Sequence, residues 1–148
     1  MLQPALREPG CLFCDIVAGE RPAHVVLENP HALGFLDARP VFPGHSLLLP
    51  RNHHVAIGDL PGPLIGKLFG DAQRLARAVE QGMQADGTFV AMNNVVSQSV
   101  PHFHVHVVPR RKKDGLRGFF WPRQKYESDD AMADVAARIR AALAAQSR

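Results

Sequence analysis

Three histidines at two-residue spacing constrain this chain more than any other feature of its sequence. They are His102, His104 and His106, in the segment SVPHFHVHVV. Side chains alternate between the two faces of an extended strand, so the three imidazoles share one face and the apolar residues between them face a core. Clustered imidazoles need a metal, an anion or hydrogen bonds as partners, because packing them as cations is costly. The pattern predicts a strand over 102–108 with one apolar face that packs in the core and one face that carries the histidines.

The spacing of apolar and turn residues in the rest of the chain predicts an α+β fold. We expect strands at 24–29, 32–37, 45–50 and 88–93, a short helix or turn over 13–20, and helices over 63–81 and from 129 onward. The helix over 63–81 is amphipathic, with apolar residues at three- and four-residue spacing. We therefore expect one domain over 1–148, an antiparallel sheet of about five strands with helices on one face. Residues 1–10 form a loose lead-in and 127–148 the C-terminal helix.

Composition and termini indicate an ordinary intracellular protein. The formal net charge is only +3, which does not predict a nucleic-acid partner. No apolar run is as long as a membrane span, and the N-terminus lacks an apolar signal core, so we expect a cytoplasmic protein with no membrane partner. Its two cysteines, Cys11 and Cys14, form a C-x-x-C pair. In a reducing compartment such a pair indicates a metal site or a redox motif and not a structural disulfide.

A group of neutral hydrogen-bond donors precedes the histidines. It comprises Asn93, Asn94, Ser97, Gln98 and Ser99. Donors of this kind, with backbone N–H groups of a turn, surround phosphate in many sites. The alternative is a polar turn whose side chains cap their own backbone.

Several segments together resemble one known family. HFHVHVV matches the histidine triad pattern, in which histidines alternate with apolar residues, and QSVPHFHVHVVPR resembles the whole signature of that family. CLFCDIVAGERPAHVVLEN, ALGFLDARPVFPGHSLLLPRNHH and MNN agree with it in order and spacing. The resemblance covers roughly residues 11–126 and is far more specific than a lone glycine-rich motif. It points to the histidine triad (HIT) family, in the bacterial type that carries a C-x-x-C zinc motif.

This resemblance implies a function and a set of site residues. It implies a homodimer with a sheet that continues across both subunits, and hydrolysis of a purine nucleotide conjugate at the α-phosphate through a nucleotidyl-histidine intermediate. The substrate would be a dinucleoside polyphosphate, a nucleoside phosphoramidate or an acyl-adenylate. By resemblance, the catalytic residues are His104, the nucleophile, and His106, which holds the phosphate or protonates the leaving group. The nucleotide-binding residues are Asp37, Asn93 or Asn94, Gln98 and Ser99, together with His104 and His106.

The resemblance also implies a structural zinc ion. The matching ligands are Cys11, Cys14, His53 and His102, with His54 as the adjacent alternative to His53. Four protein ligands leave no open coordination position, as in structural zinc sites. The plain alternative is two reduced cysteines in a packed N-terminal segment.

Other interpretations stay open at this stage. His106 favours a hydrolase, since transferase branches of the superfamily tend to carry glutamine there. The loop NNVVSQ lacks the glycines usual for the family and is two residues shorter, which leaves room for a nucleotide-binding or interaction protein with little turnover. A metal carrier that uses the three histidines is a third idea. Trp121 and Arg123 are candidate specificity residues, whereas His24, His31 and His45 are given no functional role.

Overall fold

The structure is a computed structural model that describes residues 5–117 and 123–146. Its elements are α1 (Leu12–Val17), β1 (Val25–Glu28), β2 (Ala32–Leu36), β3 (Ser46–Pro50), a 3-10 turn (Ile57–Asp59), α2 (Gly62–Gly82), β4 (Gly87–Ala91), β5 (Val105–Arg110) and α3 (Asp129–Ala144). The elements up to β5 belong to one compact unit that ends at Asp114, and α3 belongs to a second that begins at Gly115. None of the described helices is both long enough and apolar enough to cross a bilayer.

The five strands form one antiparallel sheet in the order β1-β2-β3-β5-β4. The predicted α+β architecture is therefore confirmed. In the register of the sheet, His106 stands opposite Leu47 of β3 on one side and Ala91 of β4 on the other. The third motif histidine thus lies on a strand that is paired along both edges, where its backbone is held firmly.

Both faces of the sheet are covered, because apolar side chains alternate along β3. Leu48 joins the core beneath α2, which also contains Phe103, Val105 and Val107. Leu47 and Leu49 point to the other face and pack in a second core, with members from β2 and from α1. The segment predicted as a short helix or turn, α1, thus belongs to the face opposite α2. The reason is the fully buried β3, whose alternation leaves apolar side chains on both sides.

The strand that carries the histidines begins later than predicted, at Val105 and not at residue 102. The N–H of Phe103 donates to the carbonyl oxygen of His54, in the loop after β3, over 2.6 Å. The N–H of His102 donates to Val100 over 2.8 Å, which closes a tight turn. Residues 102–104 are therefore held by loop contacts, and only His106 of the three lies within the strand ladder.

The helix α3 is described by itself. Its N-cap is Ser128, whose hydroxyl accepts from the N–H of Ala131 over 3.1 Å. Asp129 and Asp130 occupy the first turn, where negative charge interacts favourably with the helix dipole. The predicted C-terminal helix is thus present and carries a regular N-terminal cap.

Candidate active site and metal centre

His104 is held in one tautomer by the backbone beside it. Its Nδ1 atom lies 2.7 Å from the carbonyl oxygen of His102. A carbonyl only accepts, so Nδ1 carries the proton and Nε2 of the neutral ring is left with its lone pair. The ring is almost fully buried, and Phe13 meets it edge-on with ring centroids 5.0 Å apart. The side chain therefore presents an unprotonated nitrogen in a fixed orientation, as a nucleophile requires.

His106 is held in the opposite tautomer by a second histidine. The N–H of Val41 donates to His45 Nδ1 over 3.1 Å, so the proton of the neutral His45 ring sits on Nε2. This Nε2 lies 3.0 Å from His106 Nδ1 and donates to it. His106 Nδ1 is thereby an acceptor, and its own proton is on Nε2. The site thus contains an imidazole with a free lone pair beside an imidazole N–H, with ring centroids of His104 and His106 4.9 Å apart.

Asp37 supplies the negative charge of this group. Its Oδ1 atom accepts from the N–H of Arg39 over 2.8 Å, and its own N–H donates to the carbonyl oxygen of His45. Its Oδ2 atom lies 3.7 Å from His45 Nε2. The backbone of Asp37 is therefore fixed at the end of β2, and its carboxylate lies beside the histidines.

The histidines of the site are neutral because they are buried. Burial lowers the pKa of His104 and of His45 below the usual range. Burial also lowers the pKa of His106 to about 4, with a further contribution from the positive charge that His104 and His45 would carry. The negative charge of Asp37 opposes this effect, because it raises the pKa of all three rings. At neutral pH the rings are therefore uncharged, which keeps the lone pair of His104 available.

His45 is the functional candidate that the sequence did not reveal. It precedes β3 directly, and because faces alternate it lies on the same side of the strand as Leu47. Leu47 stands opposite His106 in the sheet, which brings the two histidines together. The only sequence signal is a histidine just before a buried strand. That signal becomes meaningful only when β3 is known to pair with β5.

A second cluster is formed by the four residues predicted as zinc ligands. They are Cys11, Cys14, His53 and His102, and their ligand atoms all lie within 4.8 Å of one another. His102 Nδ1 is 3.5 Å from Cys11 Sγ and 3.6 Å from Cys14 Sγ. His53 Nδ1 is 3.4 Å from Cys14 Sγ. Between the two adjacent histidines, His53 is therefore the one that joins the group, and His54 is not among these four residues.

The surroundings of this cluster fit a zinc ion. His102 donates its Nε2 proton to the carbonyl oxygen of Pro50 over 2.8 Å, so its Nδ1 lone pair faces the thiols. The Cys11 sulfur accepts from the N–H of Cys14, and the Cys14 sulfur accepts from Glu8. Burial raises the pKa of the Cys14 thiol, an opposing effect that a bound cation would offset. Two sulfurs and two imidazoles are a donor set typical of structural zinc.

The group of Asp37, His45 and His106 is less suited to a metal. Its ligand atoms also lie within 4.8 Å of one another. However, the proton on His45 Nε2 occupies the position a metal would need, and moving it to Nδ1 would oppose the N–H of Val41. The nitrogens of the three motif histidines are also divided between two clusters, since His102 faces the cysteines. This division does not support a metal carrier built on the triad.

The polar loop after β4 uses two of its side chains to hold itself in place. Asn94 Oδ1 accepts from the N–H of Ile57 over 2.7 Å. Gln98 accepts from the N–H of Val95 over 3.1 Å and donates to the carbonyl oxygen of Val55 over 2.6 Å. The loop is thus tied to the segment around the 3-10 turn. Asn93 and Ser99, two further predicted nucleotide-binding residues, are exposed.

Two residues of this loop have positive φ angles, although the loop contains no glycine. Val95 and Ser97 have φ values of 69° and 60°, in the left-handed region that glycine adopts most easily. For a β-branched residue such as Val95 this conformation is a genuine outlier. The loop therefore contains positive φ angles at positions that carry L side chains.

The aromatic segment that follows the motif lies partly outside the described residues. Trp121, a predicted specificity residue, falls there, as do Phe119 and Phe120. Arg123 and Tyr126 are described, and the Tyr126 side chain is exposed. The specificity role of Trp121 and Arg123 stays a prediction.

Comparison with known proteins agrees with this architecture. The sequence model of the family described as HIT domain matches residues 18–113. An uncharacterised HIT-like protein of Mycobacterium tuberculosis is 41% identical over 108 residues, which make up 72% of this chain and 75% of that protein. The adenosine 5'-monophosphoramidase HNT1 of Saccharomyces cerevisiae is 34% identical over 132 residues, 87% of this chain and 80% of that one.

One solved structure of similar fold is described as Zn-bound. The crystal structure of a Zn-bound histidine triad family protein from Mycobacterium smegmatis superposes with a TM-score of 0.69. The two sequences are 38% identical, and the match covers 90% of this chain and 97% of the other.

Proposed function

This chain belongs to the HIT domain family, and we propose that it hydrolyses a purine nucleotide conjugate at the α-phosphate. The observation that carries the proposal is the tautomer of His104, whose Nδ1–H donates to the carbonyl oxygen of His102 and leaves Nε2 unprotonated. The lowered pKa of the same ring keeps that nitrogen neutral. A neutral, oriented imidazole nitrogen is what attack on phosphorus requires.

The reaction proceeds in two displacements at phosphorus. Nε2 of His104 forms a bond to the α-phosphorus, and the bond between phosphorus and the leaving oxygen or nitrogen breaks. The leaving group departs with its electron pair and takes up a proton from solvent. Water then attacks the nucleotidyl-histidine and gives up a proton to solvent, the P–N bond to His104 breaks, and the nucleoside monophosphate is released with the ring neutral again. One difficult step is thereby divided into two easier ones.

His106 is the donor in this scheme. Its Nδ1 accepts from His45, so its Nε2–H is available to a phosphate oxygen or to the leaving group. Because its pKa lies near 4, it acts as a neutral hydrogen-bond donor at neutral pH. The resemblance assigns the ribose hydroxyls to Asp37, whose carboxylate lies beside these rings and is suited to accept from them.

The phosphate and sugar contacts predicted for the polar loop are part of the same proposal. We assign them to Gln98 and Ser99, and to Asn93 more readily than to Asn94. Both side chains are exposed, but Asn94 already accepts from the N–H of Ile57. Since Gln98 uses both ends of its amide within the loop, its contribution to phosphate binding requires exchange of one of those bonds.

We further propose that the four-residue cluster holds one zinc ion with a structural role. Cys11, Cys14, His53 and His102 supply the ligand atoms. Bound zinc would contribute the cross-link between the N-terminal segment and the residues just before β5.

The assembly we propose is a homodimer with one continuous sheet. The sheet ends at β1 and β4. The pairing of β1 is irregular between Val25 and Leu27, which blunts that edge, whereas β4 pairs with β5 without interruption. The regular β4 edge is the one suited to a second copy. Sedimentation equilibrium should give twice the 16.2 kDa chain mass, and a mass of one chain would contradict the dimer.

One observation favours a second candidate, a nucleotide-binding protein with little turnover. Two of the three amides predicted to contact the nucleotide, Asn94 and Gln98, are engaged within the protein. A binding protein tolerates this arrangement better than an enzyme that must stabilise a transition state.

A paired turnover assay distinguishes the two candidates. Diadenosine tetraphosphate and adenosine phosphoramidate are offered to the wild type and to His104→Ala, with AMP binding measured in parallel. We expect hydrolysis of at least one substrate and its loss in the variant. AMP binding without turnover of either substrate would overturn the hydrolase assignment for both and favour the binding protein.

A further inference from the structure

The zinc cluster and the nucleophile share one residue and one aromatic ring. The side chain of His102 belongs to the metal cluster, while its carbonyl oxygen accepts the Nδ1 proton of His104. The metal ligand and the group that fixes the tautomer of the nucleophile are therefore the two ends of a single residue. A metal that fixes the His102 ring would therefore also restrict the peptide whose carbonyl oxygen accepts from His104.

Phe13 provides a second connection. It stands between the two cysteines in the sequence and is buried. Its ring meets His102 with centroids 6.1 Å apart and an interplanar angle of 65°, and meets His104 at 5.0 Å and 86°. It also packs edge-on against Phe35. The Phe13 ring thus forms one wall of the position occupied by the nucleophile.

The segment that carries Phe13 has little local stability of its own. The helix α1 has six residues, and a helix this short is not stable without tertiary contacts. Its N-cap is Cys11, whose sulfur accepts from the N–H of Cys14. Ligands at both ends of this turn would fix the Phe13 backbone, and losing them would leave the ring held by apolar contacts alone.

From these contacts we infer that metal binding at the four-residue cluster holds His104 in its reactive tautomer and orientation, with His102 and Phe13 as positioning residues. The inference rests on the proposed function for its catalytic consequence, but its structural part can be measured without turnover. The metal takes no part in the chemistry. It fixes the two groups that contact the nucleophile, the carbonyl of His102 and the ring of Phe13.

The test compares the imidazole of His104 with and without zinc. Protein labelled with ¹⁵N-histidine is purified as wild type, Cys14→Ser, Cys14→His and His54→Gln, and the zinc content of each is measured. Long-range ¹H–¹⁵N spectra then report the tautomer of each ring, with His104→Gln used for assignment. Cys14→His preserves a ligand at the same position. His54→Gln is the matched control, since His54 is next to His53 but lies outside the cluster.

We expect zinc and the Nδ1–H tautomer of His104 to disappear together. Cys14→Ser should lose the metal and show a His104 ring averaged between tautomers, whereas His54→Gln and zinc-loaded Cys14→His should match the wild type. For an active enzyme kcat should fall about tenfold or more in Cys14→Ser while KM changes far less, because small displacements of a reacting group are costly.

Two outcomes would overturn the inference. One is a zinc-free protein whose His104 spectrum is unchanged, and the other is a zinc-bound Cys14→His whose His104 ring is averaged. If Cys14→Ser does not fold, the wild type is titrated with a chelator, and the His104 signal must follow zinc occupancy. Absence of turnover in the zinc-loaded wild type would count against the proposed function alone, since the spectra still decide whether zinc positions His104.

Discussion

His45 Nε2 donates a hydrogen bond to His106 Nδ1 over 3.0 Å, and this contact determines which nitrogen of His106 carries a proton. The direction of the bond follows from the N–H of Val41, which occupies the other nitrogen of His45. A residue outside the histidine motif therefore sets the donor character of the last motif histidine. Positions such as this one act through another residue and are not expected to touch the substrate.

Replacing His45 should lower turnover through its effect on His106. In His45→Leu the donor to His106 Nδ1 is lost, so the ring can adopt either tautomer and its Nε2–H is no longer enforced. We expect kcat for the best substrate to fall about tenfold, because the His106 ring remains and only the enforced position of its N–H donor is lost. Steady-state kinetics should show little change in KM. His24→Gln, at an exposed histidine, is the control, and an unchanged kcat in His45→Leu would refute the role.

Acid should destabilise the protein partly through His106. Its pKa is about 4 in the folded state and about 6.5 when unfolded, so below pH 6.5 the unfolded chain binds the additional proton. The free energy of unfolding therefore decreases as the pH falls from about 6.5 to about 4. In His106→Gln this contribution is absent, and the decrease should be smaller by about 1 kcal/mol, allowing for solvent screening at a half-buried ring.

Urea unfolding of both proteins across this pH range measures the difference. Zinc content is monitored in parallel, because loss of the metal in acid affects the wild type and the variant alike. Identical pH dependence of the two unfolding free energies would mean that His106 titrates normally in the folded state.

The fold could be predicted from local pattern, whereas the grouping of Cys11, Cys14, His53 and His102 could be predicted only from the family resemblance, since the cysteines and the histidines are far apart in the chain. Alternation and helical spacing identify the elements, and the cysteine pair with its two histidines matches a specific motif. A role for His45 could not be predicted, because it depends on the pairing of β3 with β5, which joins residues far apart in the chain. The hydrogen bonds of Asn94 and Gln98 could not be predicted either. Their backbone partners at residues 55–57 lie in a segment whose sequence has no helical or strand periodicity.

Asn94 and Asn93 should respond differently to the same substitution. Asn94 holds the N–H of Ile57, so Asn94→Ala should lower the free energy of unfolding by about 1 kcal/mol. Asn93→Ala, at an exposed position, should change stability by less than about 0.5 kcal/mol and should raise KM. Denaturant titrations and steady-state kinetics on both variants provide the measurement. A loss of stability in Asn93→Ala together with a higher KM in Asn94→Ala would mean that Asn93 has the structural role and Asn94 contacts the nucleotide.

Val95 should be one of the few positions at which glycine stabilises this protein. Its φ of 69° costs an L residue about 1–2 kcal/mol, more than the conformational entropy lost by fixing a glycine. Val95→Gly should therefore raise the free energy of unfolding by about 0.5–1 kcal/mol. Val96→Gly is the matched control, since Val96 is equally exposed but is not among the residues with positive φ. It should lower stability, and an equal effect of both substitutions would rule out strain at Val95.

Gly44 sets the turn that delivers His45 to the site, and it should not tolerate a side chain. Its φ is 98°, and a Cβ atom there would lie 2.6 Å from Cγ of Met83. The N–H of His45 donates to the carbonyl oxygen of Phe42 across this turn. Gly44→Ala should lower the free energy of unfolding by about 2 kcal/mol, from backbone strain and overpacking together.

A double-mutant cycle with Met83→Ala separates the two causes, because the shorter side chain removes the contact and leaves the strain. The loss in the double variant should therefore be smaller than the sum of the single losses by about 1 kcal/mol. Strictly additive losses in denaturant unfolding would show that Met83 moves aside freely and that the positive φ alone requires glycine.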